Sequence, residues 1–491
     1  MIYELTFQNG GVCYNSDMVF SSLTFLLIFL PATLAVYFVC RNIHYRNLVL
    51  LITSLVFYAW GEPIYLLVMI LVTMFVYFGA ILIQSLRSRT AKKVVLSFGL
   101  ALALGSLFYF KYAAFFANQI LPFLGVNVEL AMQRLPIGIS FYTFQAISYL
   151  VDAYRGKIRV QRNYARLLLY VACFPQLIAG PIVEYADIEY ELTARQTTLD
   201  EFSNGMRRFA LGLCKKVLVA NILGEMLKDL PAAGSSVAAA WLTSLVFAMQ
   251  IYFDFSAYSD MAIGLGHVLG FRYQENFNYP YISRSVSEFW RRWHISLGRF
   301  FREYVYFPLG GSRKGRTRTT FNLLLVWTLT GLWHGASWNF VLWGFYYGIL
   351  IALEHGALRH TVQKTPRILA TCLTLIAVLF GWALFYQTDL SLCLNQVLAM
   401  IGLSNASGSL RFVGWIDGET ILALRTYTFF PLIAAVLCLP ILPWLEQRMS
   451  HRLRLQRTAH LLSTIALTVG IILCIMNLVS DSYNPFLYFR F

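Results

Sequence analysis

Long apolar runs, separated by short loops rich in Lys and Arg, dominate this chain of 491 residues. Spanning a bilayer as a helix takes about 20 predominantly apolar residues. Only 13% of the residues are charged, against about 25% in soluble globular proteins, so an ordinary cytosolic enzyme is excluded. The runs are continuous, whereas the strands of a membrane β-barrel alternate apolar and polar residues. The pattern predicts an all-α polytopic membrane protein.

The loop charges predict the topology. The net charge is +15, and an excess of Lys and Arg in cytoplasmic loops explains it without nucleic-acid binding, since short cytoplasmic loops collect these residues. With the basic clusters in the cytoplasm, the N-terminus lies outside and alternation fails only at 165–183. Because that run contains Pro175, Gly180 and Pro181, we predict a re-entrant or broken segment beside a cavity. About 11–12 transmembrane helices, with re-entrant and interfacial helices, account for the rest.

The segment 1–17 precedes the first apolar run and lacks the pattern of a signal peptide. We therefore expect 1–17 to be an N-terminal extension that is not necessarily part of the native chain, because Met18 is an alternative start. Residues 18–491 are expected to form a single membrane domain. The eight cysteines include no Cys-x-x-Cys pair, so we predict neither a metal site nor a disulfide framework.

His334 lies between two apolar segments, at the sequence Trp333-His334-Gly335. The preceding segment, 321–333, would be about 20 Å long as a helix, and the following one, 338–353, about 24 Å. Both are short against a hydrocarbon core of about 30 Å, which predicts that His334 lies inside the membrane. An ionisable group there is a functional candidate, because neutral imidazole accepts a proton from a hydroxyl near neutral pH. The alternative is a histidine that hydrogen-bonds two helices together.

Residues 284–306 carry apolar side chains at helical spacing, with arginines mostly off that face. This pattern predicts one amphipathic helix on the cytoplasmic side of the membrane interface, with its tryptophans towards the lipid. His294 flanks the apolar face, so it points either into a cavity or to lipid headgroups.

The segment 284–318 is strongly basic and is a candidate site for the phosphates of a thioester donor. Arg291, Arg292 and Lys314 are the candidate phosphate ligands, and binding of anionic lipid is an equally open interpretation. Asp254 and Asp260, in the apolar run 238–268, are either structural carboxylates or cavity-lining groups.

Six sequence segments in this order resemble the membrane-bound O-acyltransferase (MBOAT) family, and within it the bacterial alginate O-acetyltransferase (AlgI-like) branch. The segments are Met18-Val19-Phe20-Ser21-Ser22, Leu135-Pro136-Ile137-Gly138-Ile139-Ser140-Phe141, Leu177-Ile178-Ala179-Gly180-Pro181, Tyr252-Phe253-Asp254-Phe255-Ser256, the run from Glu288 to Leu297 that contains Trp293-His294, and Trp333-His334-Gly335-Ala336. The resemblance extends from about Met18 to the C-terminus. It implies that His334 is the catalytic histidine, that His294 is the second histidine of the family, and that helices surround a central tunnel.

The resemblance also implies an O-acetyltransferase of the cell inner membrane. Its donor is a cytosolic thioester, most simply acetyl-CoA, with no permanently bound cofactor and no metal. Its acceptor is an extracytoplasmic polysaccharide, alginate or a similar exopolysaccharide, reached through a periplasmic acetyltransferase partner. The developing oxyanion needs a hydrogen-bond donor, for which Trp333, Trp338 and Asn339 are candidates.

Three alternative functions stay open at this point. The acceptor can be peptidoglycan, or the reaction can be D-alanylation of teichoic acid, both within the same family. A transporter or flippase for a polysaccharide precursor is the alternative from a different class, although no repeat symmetry, which many transporters have, is visible.

Overall fold

The computed structural model describes residues 18–178, 180–232, 234–387, 389–405, 409–449 and 453–480. These residues are mostly helical, with one two-stranded antiparallel hairpin (Leu403–Ser404 and Arg411–Phe412). The prediction of an all-α polytopic protein is confirmed. The predicted extension, 1–17, lies outside the described residues.

The helices up to the centre of the chain are α1 (Leu30–Val39), α2 (Ile43–Gly61), α3 (Tyr65–Ser85), α4 (Arg89–Leu107), α5 (Ala113–Phe115), α6 (Ile139–Arg155), α7 (Tyr164–Ala172), α8 (Phe174–Leu177), α9 (Tyr185–Ile188), α10 (Leu199–Cys214), α11 (Asn221–Asp229) and α12 (Val237–Leu269). They are followed by α13 (Val286–Arg292), α14 (Ile295–Phe301), α15 (Arg316–His334), α16 (Trp338–His355), α17 (Arg359–Lys364), α18 (Arg367–Tyr386), α19 (Leu390–Met400), α20 (Gly418–Tyr427), α21 (Phe430–Leu437), α22 (Ile441–Met449) and α23 (Leu453–Ser480). Turns of π-helix occur at Phe25–Phe29, Phe108–Tyr112, Phe116–Ile120, Lys215–Ala220 and Arg302–Tyr306, and 3-10 turns at Leu121–Leu124 and Pro280–Ile282.

Five of the described helices are long and apolar enough to cross a membrane, or six if the bent pair α20–α21 is one span. They are Tyr65–Ser85, Arg89–Leu124, Val237–Leu269, Arg367–Tyr386 and Thr458–Ser480. The predicted 11–12 spans exceed this number. Several of the other apolar runs form shorter helices, such as α1 and α6, or are broken, as at α7–α8.

The helix at the centre of the fold is α12. Its 33 residues give a length of about 50 Å, and most of its side chains are buried. It packs against α10 where Gly205 meets Gly264 and where Gly212 meets Ala257, positions at which a Cβ on the glycine would collide with the facing backbone. Small residues at a helix interface allow this close backbone approach within membranes.

The run 165–183 is broken, as predicted from its prolines and glycine. Helix α7 ends at Ala172, and the four-residue α8 begins at Phe174, with Pro175 in its first turn. The backbone N–H of Phe174 donates to Ser54 Oγ at 3.1 Å, so a polar group of α2 satisfies part of the break. The side chains of 167–178 are buried, which places this irregular backbone inside the protein.

The segment 284–306 does not form the single surface helix that its periodicity predicts. Helix α13 ends at Arg292 and α14 starts at Ile295, because the backbone of His294 is left-handed, with φ 46°. Trp293 and His294 are consequently buried within the protein and do not face lipid. The prediction of one interfacial amphipathic helix with its tryptophans towards the lipid is therefore wrong.

The helices on either side of His334 are longer than the sequence suggested. Helix α15 begins at Arg316 and has 19 residues, and α16 has 18. At 1.5 Å per residue α15 is about 28 Å long, so its length alone no longer argues for a position deep in the membrane. His334 is buried within the protein, at 6% exposure, and its depth in the membrane stays a prediction.

Asp254 and Asp260 pair with lysine and arginine side chains of neighbouring elements. Lys216 Nζ lies 2.6 Å from Asp254 Oδ1, with both side chains buried. Asp260 pairs with Arg208 at 2.9 Å and with Lys215 at 2.6 Å. The structural interpretation of these carboxylates is confirmed for Asp254, while Asp260 also lines a cavity of about 900 Å³.

The packing of α15 on α16 gives a stability prediction. A Cβ on Gly344 would collide with the Trp327 carbonyl oxygen and lie 3.0 Å from Gly331 Cα. We expect Gly344→Ala to lower the free energy of unfolding by about 1–3 kcal/mol, as overpacking does. The measurement is the thermal unfolding midpoint in detergent. The matched control is Gly105→Ala in α4, where a Cβ meets nothing within 4 Å, and an equal midpoint for both variants would contradict the close packing.

Candidate active site

His334 ends α15 and lies among aromatic rings. Its imidazole makes edge contacts with Trp343 at a centroid distance of 5.1 Å, with Phe385 at 5.2 Å and with Trp333 at 4.9 Å. Gly335 follows in an extended conformation, and a Cβ there would collide with the Phe340 ring. The chain therefore leaves the helix directly after His334, and the aromatic rings restrict how the imidazole can turn.

His294 is held by Asn276. The imidazole Nδ1 lies 3.2 Å from Asn276 Oδ1, and the same oxygen accepts from the Ser296 backbone N–H at 3.2 Å. The Ser296 N–H can only donate, so the Asn276 atom that faces it must be the amide oxygen. That oxygen accepts, and we therefore assign the ring proton of His294 to Nδ1. In the neutral ring the lone pair then lies on Nε2.

Trp333 connects the two histidines. Its indole ring is 4.9 Å from the His334 imidazole and 6.0 Å from the His294 imidazole, measured between ring centroids. Phe141 and Phe144 also pack against this indole, with ring centroids 5.7 Å and 5.5 Å away. The structure therefore brings both predicted histidines to one tryptophan, although they are 40 positions apart along the chain.

A small cavity of about 60 Å³ reaches His334. We call it the inner chamber. Its walls come from α15, from the start of α6 and from the broken segment after α8, and Lys111 contributes the charged group. The complete lining is Lys111, Leu135, Pro136, Ile137, Gly138, Ile139, Ser140, Phe141, Ile178, Trp333 and His334.

A second cavity of about 450 Å³ reaches His294. We call it the basic cavity, because Arg291, Arg299, Arg302 and His355 line it together with Thr330 and several aromatic side chains. The two cavities have lining residues on the same helix, α15, one turn apart at Thr330 and at Trp333–His334. His334 therefore lies at a small chamber and His294 at a larger, basic cavity.

The three predicted phosphate ligands have different positions. Arg291 is exposed and lines the basic cavity. Arg292 pairs with Glu288 at 2.9 Å and donates to the Asn278 carbonyl at 3.1 Å. Lys314 lies in the exposed loop before α15. Neither Arg292 nor Lys314 contributes to the lining of the basic cavity.

Two further arginines of the basic cavity were not among the sequence candidates. Arg299 pairs with Glu184 at 2.7 Å and with Asp187 at 2.9 Å. Burial opposes its charge, but the hydrogen bonds to Asp187 and the two carboxylates raise the pKa of Arg299, so its guanidinium is a fixed cation in the wall. Arg302 is the other, at the start of the π-helical turn after α14.

The three candidate oxyanion donors are distinguished by their positions. Asn339 Nδ2 donates to the Gln387 carbonyl at 2.8 Å, which ties α16 to the end of α18. Trp338 is 37% exposed and packs against Phe115. Trp333 is the candidate that lines the inner chamber beside His334.

Lys111 is a site residue that the sequence analysis missed. Its Nζ donates to the Trp333 carbonyl at 2.5 Å and to Ser140 Oγ at 3.2 Å. The signal was present, since a single lysine stands inside the apolar run 94–115, and such a charge marks a functional position in a membrane protein. In the described part of the chain, no group of three His, Cys, Asp or Glu side chains is arranged to hold a metal ion.

Comparison with known proteins identifies the family. A model of the membrane-bound O-acyltransferase family matches residues 157–395. The probable alginate O-acetylase AlgI of Azotobacter vinelandii is 42% identical over 395 residues, covering 79% of each chain. The protein of that name from Pseudomonas aeruginosa is 41% identical over 429 residues, covering 84% of this chain and 82% of its own. The peptidoglycan O-acetyltransferase of Helicobacter pylori is 32% identical over 521 residues, covering 96% and 98%.

An all-α polytopic fold with buried histidines and these relatives defines a multi-pass membrane acyltransferase. The chain belongs to the membrane-bound O-acyltransferase family, and the similarity to its alginate O-acetylase branch extends over most of its length.

The Asn276 contacts give a prediction for the site. Asn276→Ala removes the oxygen that orients His294, so we expect the rate of acyl transfer to fall about tenfold or more, since small misplacements of this kind are costly. The control is Ser259→Ala, which removes only the hydrogen bond from Asn276 Nδ2 at 3.1 Å and should leave the rate within about twofold. Equal rates in both variants, measured on folded protein, would show that the orientation of His294 is unimportant.

Proposed function

We propose that this enzyme moves an acetyl group from a cytosolic thioester, most simply acetyl-CoA, to an extracytoplasmic polysaccharide. The observation that carries the proposal is that the Trp333 ring lies next to both histidines, His334 in the inner chamber and His294 in the wall of the basic cavity. The acceptor we favour is alginate or a similar exopolysaccharide, because the relatives with the higher identities are named alginate O-acetylases. The multi-pass domain, 18–491, then lies in the cell inner membrane.

His334 is the proposed general base. It takes the proton of the attacking hydroxyl as the hydroxyl oxygen bonds to the thioester carbonyl carbon. The carbon–sulfur bond then breaks, and the proton on His334 passes to the departing thiolate, giving an ester and a free thiol. The Trp333 indole N–H is the donor we propose for the oxyanion, because Trp333 lines the same chamber as His334.

The basic cavity is the proposed donor site. Arg291 and Arg302 at its wall are suited to the phosphates of a nucleotide-bearing thioester, since guanidinium groups bind phosphate oxygens in pairs. We infer from the loop charges that this side of the protein faces the cytoplasm. The aromatic side chains that line this cavity provide an apolar path for the thioester arm to His294.

The acceptor side requires a partner. A polysaccharide chain does not fit a chamber of about 60 Å³, so we propose that a periplasmic acetyltransferase partner receives the acetyl group and delivers it to the polymer. Peptidoglycan is the second candidate acceptor, because the H. pylori relative is named a peptidoglycan O-acetyltransferase.

The first prediction for this function concerns His334. We expect His334→Ala to lower thiol release from acetyl-CoA by about 10²–10⁴-fold, the usual contribution of a general base. The measurement uses purified protein in nanodiscs with a periplasmic extract. The matched control is His360→Ala, an exposed histidine of α17, which should keep full activity. A folded His334→Ala protein with wild-type rates would contradict the mechanism.

The same assay separates the alternatives. Transfer to de-acetylated alginate and not to glycan strands of peptidoglycan would support the favoured acceptor, and the reverse would establish the second candidate. Release of thiol only from a D-alanyl carrier protein would indicate teichoic acid D-alanylation. A transporter needs no thioester, so folded wild-type protein without release from any donor would favour that class.

A further inference from the structure

Lys111 belongs to neither step of the proposed reaction, yet it lines the inner chamber beside His334. It stands in the π-helical turn Phe108–Tyr112 that interrupts the long helical segment Arg89–Leu124. Turns of π-helix inside α-helices occur frequently at functional sites. A lysine at this depth costs free energy and therefore calls for a reason.

The contacts of Lys111 and its neighbour are with the end of α15. Lys111 Nζ donates to the Trp333 carbonyl at 2.5 Å, and Tyr112 Oη donates to the Leu332 carbonyl at 3.0 Å. These are two consecutive carbonyls of the last turn before His334. The last four carbonyls of an α-helix have no partner within the helix, so this pair of side chains supplies partners from another element.

The charge of Lys111 suits the position. The C-terminus of a helix carries a partial negative charge, and a cation there is stabilising. The ammonium group also lies 5.7 Å from the centre of the Trp333 ring, within the range of a cation–π contact. Ser140 Oγ, at 3.2 Å, links the same ammonium to the start of α6, which also lines the chamber.

We propose that Lys111 is a positioning residue, which fixes the last turn of α15 and thereby the imidazole of His334. Tyr112 assists by holding the preceding carbonyl. This inference rests on the proposed function only in taking His334 as the base. The effect of Lys111 and Tyr112 on the last turn of α15 can be tested without measuring catalysis.

The test compares Lys111→Met with wild type in nanodiscs. Methionine has a similar length but neither charge nor N–H donors. We expect kcat for thiol release to fall about 10²-fold, as for a misplaced catalytic group, with the KM for acetyl-CoA within about twofold. We also expect faster amide hydrogen exchange at 331–337. Lys111→Arg, which keeps a charged donor, should recover part of kcat, and Tyr112→Phe should show a smaller loss.

The control is Lys93→Met, an exposed lysine on α4, which should change neither quantity. Unchanged kcat and unchanged exchange at 331–337 in folded Lys111→Met would overturn the proposal. A fall in kcat with unchanged exchange would also overturn it, because Lys111 would then act on the substrate directly. If wild type releases no thiol, the proposed function fails by itself, and the exchange at 331–337 alone decides whether Lys111 clamps α15.

Discussion

At His294 the backbone takes a left-handed conformation, with φ 46°, which residues other than glycine adopt infrequently. Such a conformation costs about 1–3 kcal/mol and persists only where the surroundings impose it. Here the segment 276–278 imposes it, through the Ile295 N–H to the Asn276 carbonyl at 3.0 Å and the Asn278 N–H to the Arg292 carbonyl at 2.9 Å. The break turns His294 into the protein and leaves Arg291 of α13 and Arg299 of α14 at the wall of the basic cavity.

The arginines around this break differ in their contacts. Arg292 is neutralised by Glu288 and Arg299 by Glu184 and Asp187, so these cations hold the short helices in place. Arg291 and Arg302 line the cavity wall, and Arg302 Nε also lies 3.8 Å from Glu303 Oε1. The inner chamber is small and is lined by the end of α15. There the ammonium group of Lys111 offsets the partial negative charge of the helix C-terminus. The cavity at His294 and the chamber at His334 therefore differ in size and in the number of cationic side chains that line them.

The fold class followed from the sequence, because apolar runs and loop charges reflect the membrane directly. Both histidines were predicted, His334 from its position between apolar segments and His294 by the resemblance. The break within 165–183 followed from the failed alternation of the loop charges and from the prolines and glycine of that run. The break at His294 could not be predicted, since apolar residues continue at helical spacing across it and the cause lies in Asn276, which is distant along the chain. The sequence also could not show that Arg292 is paired with Glu288 while Arg291 lines the basic cavity. The position of each side chain depends on tertiary contacts. Lys111 is different, because the sequence shows a lone lysine in an apolar run, but only the fold shows that it contacts the Trp333 carbonyl.

The most direct test of the account is a structure of the protein in nanodiscs with a thioether analogue of acetyl-CoA, in which the acetyl carbonyl is retained and cannot be transferred. The account predicts the nucleotide along Arg291 and Arg302 and the carbonyl group beside Trp333, between His294 and His334. Binding of the analogue in the cavity of about 900 Å³ lined by Arg207, Arg208 and Lys215, with the two histidines untouched, would contradict it.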